Sequence, residues 1–87
     1  MTRWRRAPDA LWRSLDGSVL VLGPDADEPV EVQGPAAGLW DLVADATTLD
    51  DAAAELAQRH GARVEVVAAD LDPVIERWAA DGAIVTA

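Results

Sequence analysis

The chain has no cysteine, only one histidine, and no apolar stretch long enough to cross a membrane. Without cysteine there is no disulfide framework, no thiolate nucleophile and no thiolate metal site. A membrane-spanning helix needs about 20 consecutive, mostly apolar residues. The basic N-terminal residues are not followed by the apolar run and cleavage site of a secretory signal. The sequence therefore predicts a cytoplasmic protein.

Residue types that carry out nucleophilic catalysis are also scarce. The two serines, Ser14 and Ser18, lie outside any Gly-x-Ser-x-Gly elbow. His60 stands near the predicted C-terminal end of a helix, where a partial positive charge is favourable, so a capping or solvent-facing role is expected. The segment 25–28 resembles the start of a calcium loop, but Val30 occupies the position where that loop requires glycine. We therefore expect no enzyme activity, no metal site and no cofactor.

Positive charge is concentrated at the N-terminus, where four of the seven arginines lie within the first thirteen residues. From Ser14 onward, three arginines stand against fifteen carboxylates, a net charge of −12. Proteins that bind nucleic acids need a cationic surface to displace counterions from phosphates. The charge therefore argues against a nucleic-acid partner. It favours a neutral or basic partner, or serves solubility alone.

The first third of the chain has the pattern of an antiparallel sheet. Asp16-Gly17 separates two strand-like segments, 11–15 and 18–22, and is a strong signal for a two-residue hairpin turn because both positions can take positive φ. The segment Pro29–Gln33 alternates between apolar and polar residues, as a half-buried strand does. Pro29 cannot donate a ladder hydrogen bond and suits the start of an edge strand. A three-stranded meander with a free edge on its third strand is predicted.

Three helices are predicted after the sheet. They cover Ala36–Ala44, Leu49 to about His60, and a segment from Val64–Val66 to Asp81-Gly82. Thr47 or Thr48 caps the second helix and Gly61 ends it. Pro73 either kinks the third helix or marks the start of its regular part.

The predicted fold class is α+β, a winged helix-turn-helix in which an N-terminal three-stranded antiparallel sheet precedes three helices. The domain covers residues 11–87, after an N-terminal arm at 1–10. The tail 83–86 forms a small wing or strand. Trp40 and Trp78 lie on apolar helical stripes and are expected in the core. Trp12 is either core or surface, and Trp4 is either exposed or packed back onto the sheet.

A free strand edge is the one feature of the predicted fold that suggests a function. Its unpaired N–H and C=O groups can accept a peptide as an additional strand. The third helix is expected to flank Pro29–Gln33 and to form the second wall of a groove. Alternatively, the N-terminal arm or a second copy of the chain covers the edge.

Several segments together resemble a known family. They are Asp16-Gly17 before the strand 18–22, Leu39-Trp40-Asp41-Leu42, Thr48-Leu49, Asp70-Leu71, and Trp78 followed by Asp81-Gly82-Ala83-Ile84. In this order they resemble the PqqD-like family, named for a protein of pyrroloquinoline quinone biosynthesis, over roughly residues 11–86. The same domain recurs as the recognition element for ribosomally made, modified precursor peptides. The turn 33–36, Ala83 and Pro73 depart from the family pattern and affect the expected shape of the groove.

The resemblance implies a non-catalytic domain that binds the leader segment of a precursor peptide. It would present the peptide to a leader peptidase, cyclase or other modifying enzyme in natural-product or cofactor biosynthesis. The length fits the discrete form found beside lasso-peptide leader peptidases. The implied binding residues are Val30, Glu31, Val32 and Gln33 through their backbone, with Asp70, Leu71, Val74 and Arg77 on the third helix.

Other interpretations remain open at the level of sequence. Leu71 and Val74 are alternatively core residues. Asp70 and Arg77 either recognise opposite charges on the leader or are simply solvated. A winged-helix DNA-binding regulator is one alternative function, disfavoured because Arg77 is the only cation among four carboxylates on the third helix. A structural dimer that pairs its edge strands is another.

Overall fold

The computed structural model describes residues 1–87 and contains six strands and three α-helices. The strands are β1 (Arg3–Arg6), β2 (Leu11–Leu15), β3 (Ser18–Leu22), β4 (Val30–Gln33), β5 (Thr47–Thr48) and β6 (Ile84–Thr86). The helices are α1 (Pro35–Leu42), α2 (Leu49–His60) and α3 (Val64–Ala80), and a 3₁₀ turn at Val43–Asp45 follows α1.

The predicted antiparallel meander is present, in the order β2-β3-β4. Leu15 pairs with Ser18 across the two-residue turn. Of the two turn residues, Asp16 and Gly17, only Gly17 takes positive φ, at 78°. The turn thus has the positive φ at its second central residue, as in a type II turn, rather than at both residues.

A second sheet, in the order β5-β1-β6, was not predicted. Its central strand β1 comes from the segment expected as an arm, and Trp4 pairs with both Thr47 and Thr86. The α+β class and the three helices are confirmed. The prediction of one sheet followed by helices is incomplete, because strands also lie between and after the helices. The exact winged-helix layout stays a prediction.

The bounds of the second helix agree with the capping residues predicted from the sequence. The Thr48 hydroxyl accepts a hydrogen bond from the Asp51 backbone N–H at 3.1 Å, and Gly61 takes the left-handed conformation, with φ 62°, that ends α2. The predicted first helix extends too far, since its last turn is 3₁₀. Helix α3 continues through Pro73. None of the helices is both long and apolar enough to span a membrane.

The core confirms the expected role of Trp40 and Trp78. Both indoles are almost completely buried and meet edge to face, with ring centroids 5.2 Å apart. Such aromatic pairs contribute about 0.5–1.5 kcal/mol beyond the area that they bury. Trp4 is half-buried and packs against this core from the second sheet, whereas Trp12 remains 48% exposed.

The Arg6 side chain on β1 contacts two other elements, β2 and α1. Its Nε donates to the Trp40 carbonyl oxygen at 2.9 Å, and its guanidinium lies 4.7 Å from the Trp12 ring centroid and 4.8 Å from that of Trp40. A guanidinium within about 6 Å of an indole face is attracted by the ring quadrupole. Arg6 therefore fixes β1 against β2 and α1.

Candidate peptide-binding edge

Strand β4 is an edge of its sheet, as predicted. It pairs with β3 on one side. Among the backbone hydrogen bonds outside helices and strands, none involves residues 30–33. The second side of β4 is therefore free to pair with another chain.

The register shows which backbone groups point toward this free side. Leu15 and Ser18 flank the turn and form a hydrogen-bonded pair, so the backbone groups of Ser18 point toward β2. Successive residues of an antiparallel strand alternate in direction, so those of Val19 point toward its partner Val32 on β4. The N–H and C=O groups of Glu31 and Gln33 consequently face the free edge.

The side chains of β4 divide between two environments. Val32 is buried and Val30 half-buried, both on the core side, whereas Glu31 and Gln33 are exposed. The Ser18 hydroxyl donates to Glu31 Oε2 at 2.9 Å, which restrains the Glu31 side chain on the outer face. The exposed side chains leave the main-chain edge accessible.

The C-terminal end of α3 flanks the loop that leads into β4. Arg77 and Asp81 line a pocket of about 370 Å³ together with loop residues 25–28, and the Asp25 backbone N–H donates to the Asp81 carbonyl at 3.0 Å. Glycine at position 23 makes this approach possible, because a Cβ there would lie 2.8 Å from the Asp81 carbonyl carbon. The C-terminal end of α3 thus contacts the loop that leads into the edge strand.

Residues 18–84 match the family described as coenzyme PQQ synthesis protein D (PqqD). The chain belongs to the PqqD family. The match covers β3 to the first residue of β6 and leaves β1 and β2 outside it. No curated protein and no solved structure matches the chain.

PqqD-family membership indicates an accessory, peptide-binding role in the biosynthesis of pyrroloquinoline quinone or of other modified peptides. Members of the family bind a precursor peptide and work with modifying enzymes. This role is consistent with the expectation that the chain is not an enzyme.

In this PqqD-family fold, the helix residues singled out from the sequence occupy different environments. Asp70 and Arg77 are exposed, and Val74 is half-buried. Leu71 is fully buried, so its side chain belongs to the core beneath that surface. The Arg77 guanidinium is paired with Asp81 Oδ2 at 3.0 Å, so its charge is already partly compensated within the helix.

Sequence reasoning missed the acidic loop as a part of this surface. The loop's carboxylates are Asp25, Asp27 and Glu28. The signal was visible as an acidic turn directly before the edge strand, but a solvated turn explains the same pattern. Together with Asp81 at the end of α3, these carboxylates make the pocket beside the loop predominantly negative.

The sheet that contains β4 also has a second edge, on β2, which lies outside the family match. This strand pairs only with β3, and all five of its residues are exposed. A pocket of about 440 Å³ lies between β2 and α1, with His60 and Ser14 in its lining. His60 is exposed at the end of α2, as expected. Any experiment on strand addition must therefore distinguish β4 from β2.

Proposed function

We propose that this domain binds the leader segment of a precursor peptide as an additional strand on β4, beside α3, and presents the peptide to a separate modifying enzyme. The free edge of β4 carries the proposal, since Glu31 and Gln33 each offer an unpaired N–H and C=O. In strand addition, main-chain hydrogen bonds supply affinity and neighbouring side chains supply specificity. On the helix side, Asp70, Val74 and Arg77 provide those side chains.

The charges around the groove favour a leader that has a cationic residue. The loop 25–28 contributes three carboxylates and α3 contributes Asp70, whereas the only nearby arginine, Arg77, is paired with Asp81. Complementary charge raises the association rate and sets the register of a bound peptide. We therefore expect a lysine or arginine in the leader to lie near Asp70 or the loop.

The proposal is tested by fluorescence anisotropy with labelled leaders of precursors encoded nearby and with scrambled leaders as controls. Saturable binding at or below about micromolar Kd is expected, equivalent to roughly −8 kcal/mol. Glu31→Pro removes an outward N–H without removing a bond to β3, and Pro is tolerated on edge strands. Glu31→Ala is the matched control, because it removes the side chain and keeps the N–H.

Glu31→Pro should weaken leader binding at least about tenfold. One neutral hydrogen bond contributes about 0.5–1.5 kcal/mol, and the leader carbonyl left unpaired adds to the loss. Glu31→Ala should bind like the wild type. Equal affinities of the two variants would contradict addition at β4, and no binding to any leader by a folded protein would contradict the proposed function. Circular dichroism checks that each variant is folded.

Self-association is a competing use of the same edge. Two chains that pair through β4 would occupy the backbone groups of Glu31 and Gln33. Light scattering across the titration concentrations should show a monomer that binds one leader. A dimer that dissociates as the leader binds would show that the edge has two alternative occupants. A stable dimer that binds no leader would favour the structural scaffold instead.

The lasso-peptide class of pathway is a narrower hypothesis within this proposal, supported by the resemblance to the discrete elements of those pathways. If it holds, a leader peptidase encoded nearby should cleave its precursor faster with this domain present. The Glu31→Pro variant should remove that acceleration. The absence of any leader peptidase or cyclase among neighbouring genes would contradict this narrower assignment alone.

A further inference from the structure

A second surface lies on the flank of α3 that faces β1 and the start of α2. It is a pocket of about 530 Å³. Its apolar lining comes from Met1, Trp4, Leu49, Ile75 and Ala79, of which Met1 is exposed and Trp4, Leu49 and Ala79 are each partly exposed. An apolar concavity of this size can hold one or two side chains of another protein.

Three carboxylates surround this apolar lining. Asp50, Asp72 and Glu76 are exposed and line the same pocket. The ion pairs within the chain use other carboxylates, namely Asp41, Glu55, Glu65 and Asp81. None of the ion pairs within the chain therefore involves a carboxylate of this pocket.

The helical repeat places this pocket away from the leader-binding flank. Asp72, Glu76 and Ala79 recur at helical spacing on one side of α3, whereas Asp70, Val74 and Arg77 do so on another. A turn of 100° per residue puts the two sets on opposite sides of the buried stripe that contains Leu71 and Trp78. A leader on the β4 side leaves the pocket accessible.

We infer that the pocket docks a segment of a partner protein in which an apolar side chain is flanked by lysine or arginine. The apolar residue fills the space above Ile75 and Ala79, and the cations pair with Asp72, Glu76 and Asp50. Charge complementarity selects this occupant, since an apolar centre with a charged rim is the usual anatomy of a protein interface. The assignment of the partner as the modifying enzyme rests on the proposed function.

The chemistry is tested without a leader, by following the amide spectrum of ¹⁵N-labelled protein during addition of the blocked tetrapeptide Lys-Leu-Leu-Lys. The blocked peptide Glu-Leu-Leu-Glu is the control. The basic peptide should shift the amides of Leu49, Ile75 and Ala79 and the Trp4 indole N–H. It should leave the Glu31 and Gln33 amides unchanged, and the acidic peptide should shift none of them.

Two double variants separate the pocket from general charge effects. Asp72→Asn with Glu76→Gln should weaken the basic peptide about threefold to tenfold, because exposed ion pairs contribute up to about fivefold each. Glu55→Gln with Glu65→Gln makes the same change in net charge outside both the pocket and the leader site and should have little effect. Equal responses to the two peptides, or equal losses in the two double variants, would overturn the inference.

The partner assignment is tested with the modifying enzyme that acts on the same precursor. The Asp72→Asn, Glu76→Gln protein should bind the leader as the wild type does and should bind the enzyme more weakly. A loss of leader affinity in this variant would show that the pocket belongs to the leader site and would overturn the inference. A wild-type failure to bind any leader concerns the proposed function alone, since the tetrapeptide titration does not depend on it.

Discussion

Replacement of Arg6 by alanine should lower the free energy of unfolding by about 2–4 kcal/mol. The side chain is 23% exposed and makes three kinds of contact. Its hydrogen bond to the Trp40 carbonyl is charge-assisted, a class worth about 1.5–3 kcal/mol. Its contacts with the two indoles contribute roughly 0.5–1 kcal/mol each. One guanidinium makes all of them, so the terms are not fully additive.

Two further substitutions separate these contributions. Arg6→Lys keeps the charge but loses the planar stacking and the directed Nε–H, so it should recover about half of the lost stability. Asp41→Asn removes a carboxylate that is 77% exposed and 3.7 Å from Arg6, and it should cost at most about 0.5 kcal/mol. Urea unfolding followed by tryptophan fluorescence and circular dichroism measures all three. An Arg6→Ala protein no less stable than the Asp41→Asn protein would refute this account of the junction between β1 and the first sheet.

Four other substitutions test the loop before the edge strand and the helix α3. Gly23→Ala should destabilise the protein by about 1–3 kcal/mol and weaken leader binding, because its Cβ would press against the Asp81 backbone. Leu71→Ala should cost about 2–5 kcal/mol in urea unfolding, whereas Asp70→Ala should change leader affinity with stability nearly unchanged. A backbone hydrogen bond at Glu65, and then the Arg63 guanidinium, hold the pKa of the Glu65 carboxyl below its ordinary value. The ionised Glu65 carboxylate therefore stabilises the folded state at pH values above the pKa that Glu65 has in the unfolded chain. This stabilisation disappears as the pH falls through the lower pKa that Glu65 has in the folded protein. Glu65→Gln should remove this part of the acid dependence.

Much of the fold follows from signals that are local in sequence. Thr48 and Gly61 delimit α2 through their own caps, and Asp16-Gly17 sets the hairpin register, as the structure confirms. Strand β1 has no such signal, because its Arg-Trp-Arg-Arg sequence lacks apolar alternation. Its partners, Thr47–Thr48 and Ile84–Thr86, are far away in the chain. Pairing over such separations depends on how the helices bring the segments together.

Some features of the proposed site also follow from local sequence, whereas others depend on tertiary contacts. The free edge of β4 was predictable, since Pro29 and the alternation in the strand both indicate it. Leu71 lies within the predicted apolar stripe of the third helix and is fully buried, so the core alternative that the sequence offered for it agrees with the structure. The pairing of Arg77 with Asp81 and the position of the acidic loop depend on how α3 ends beside Gly23. That contact is tertiary and has no local signature.

The most direct test of leader binding at β4 is residue-resolved hydrogen exchange of the backbone amides, with and without a leader peptide. In the free protein, the Glu31 and Gln33 amides should exchange fast, whereas those of Val30 and Val32 should be protected by their bonds to β3. Addition of the leader should protect Glu31 and Gln33 in particular. Binding that protects amides of β2 instead, and leaves Glu31 and Gln33 exchanging as before, would contradict the account.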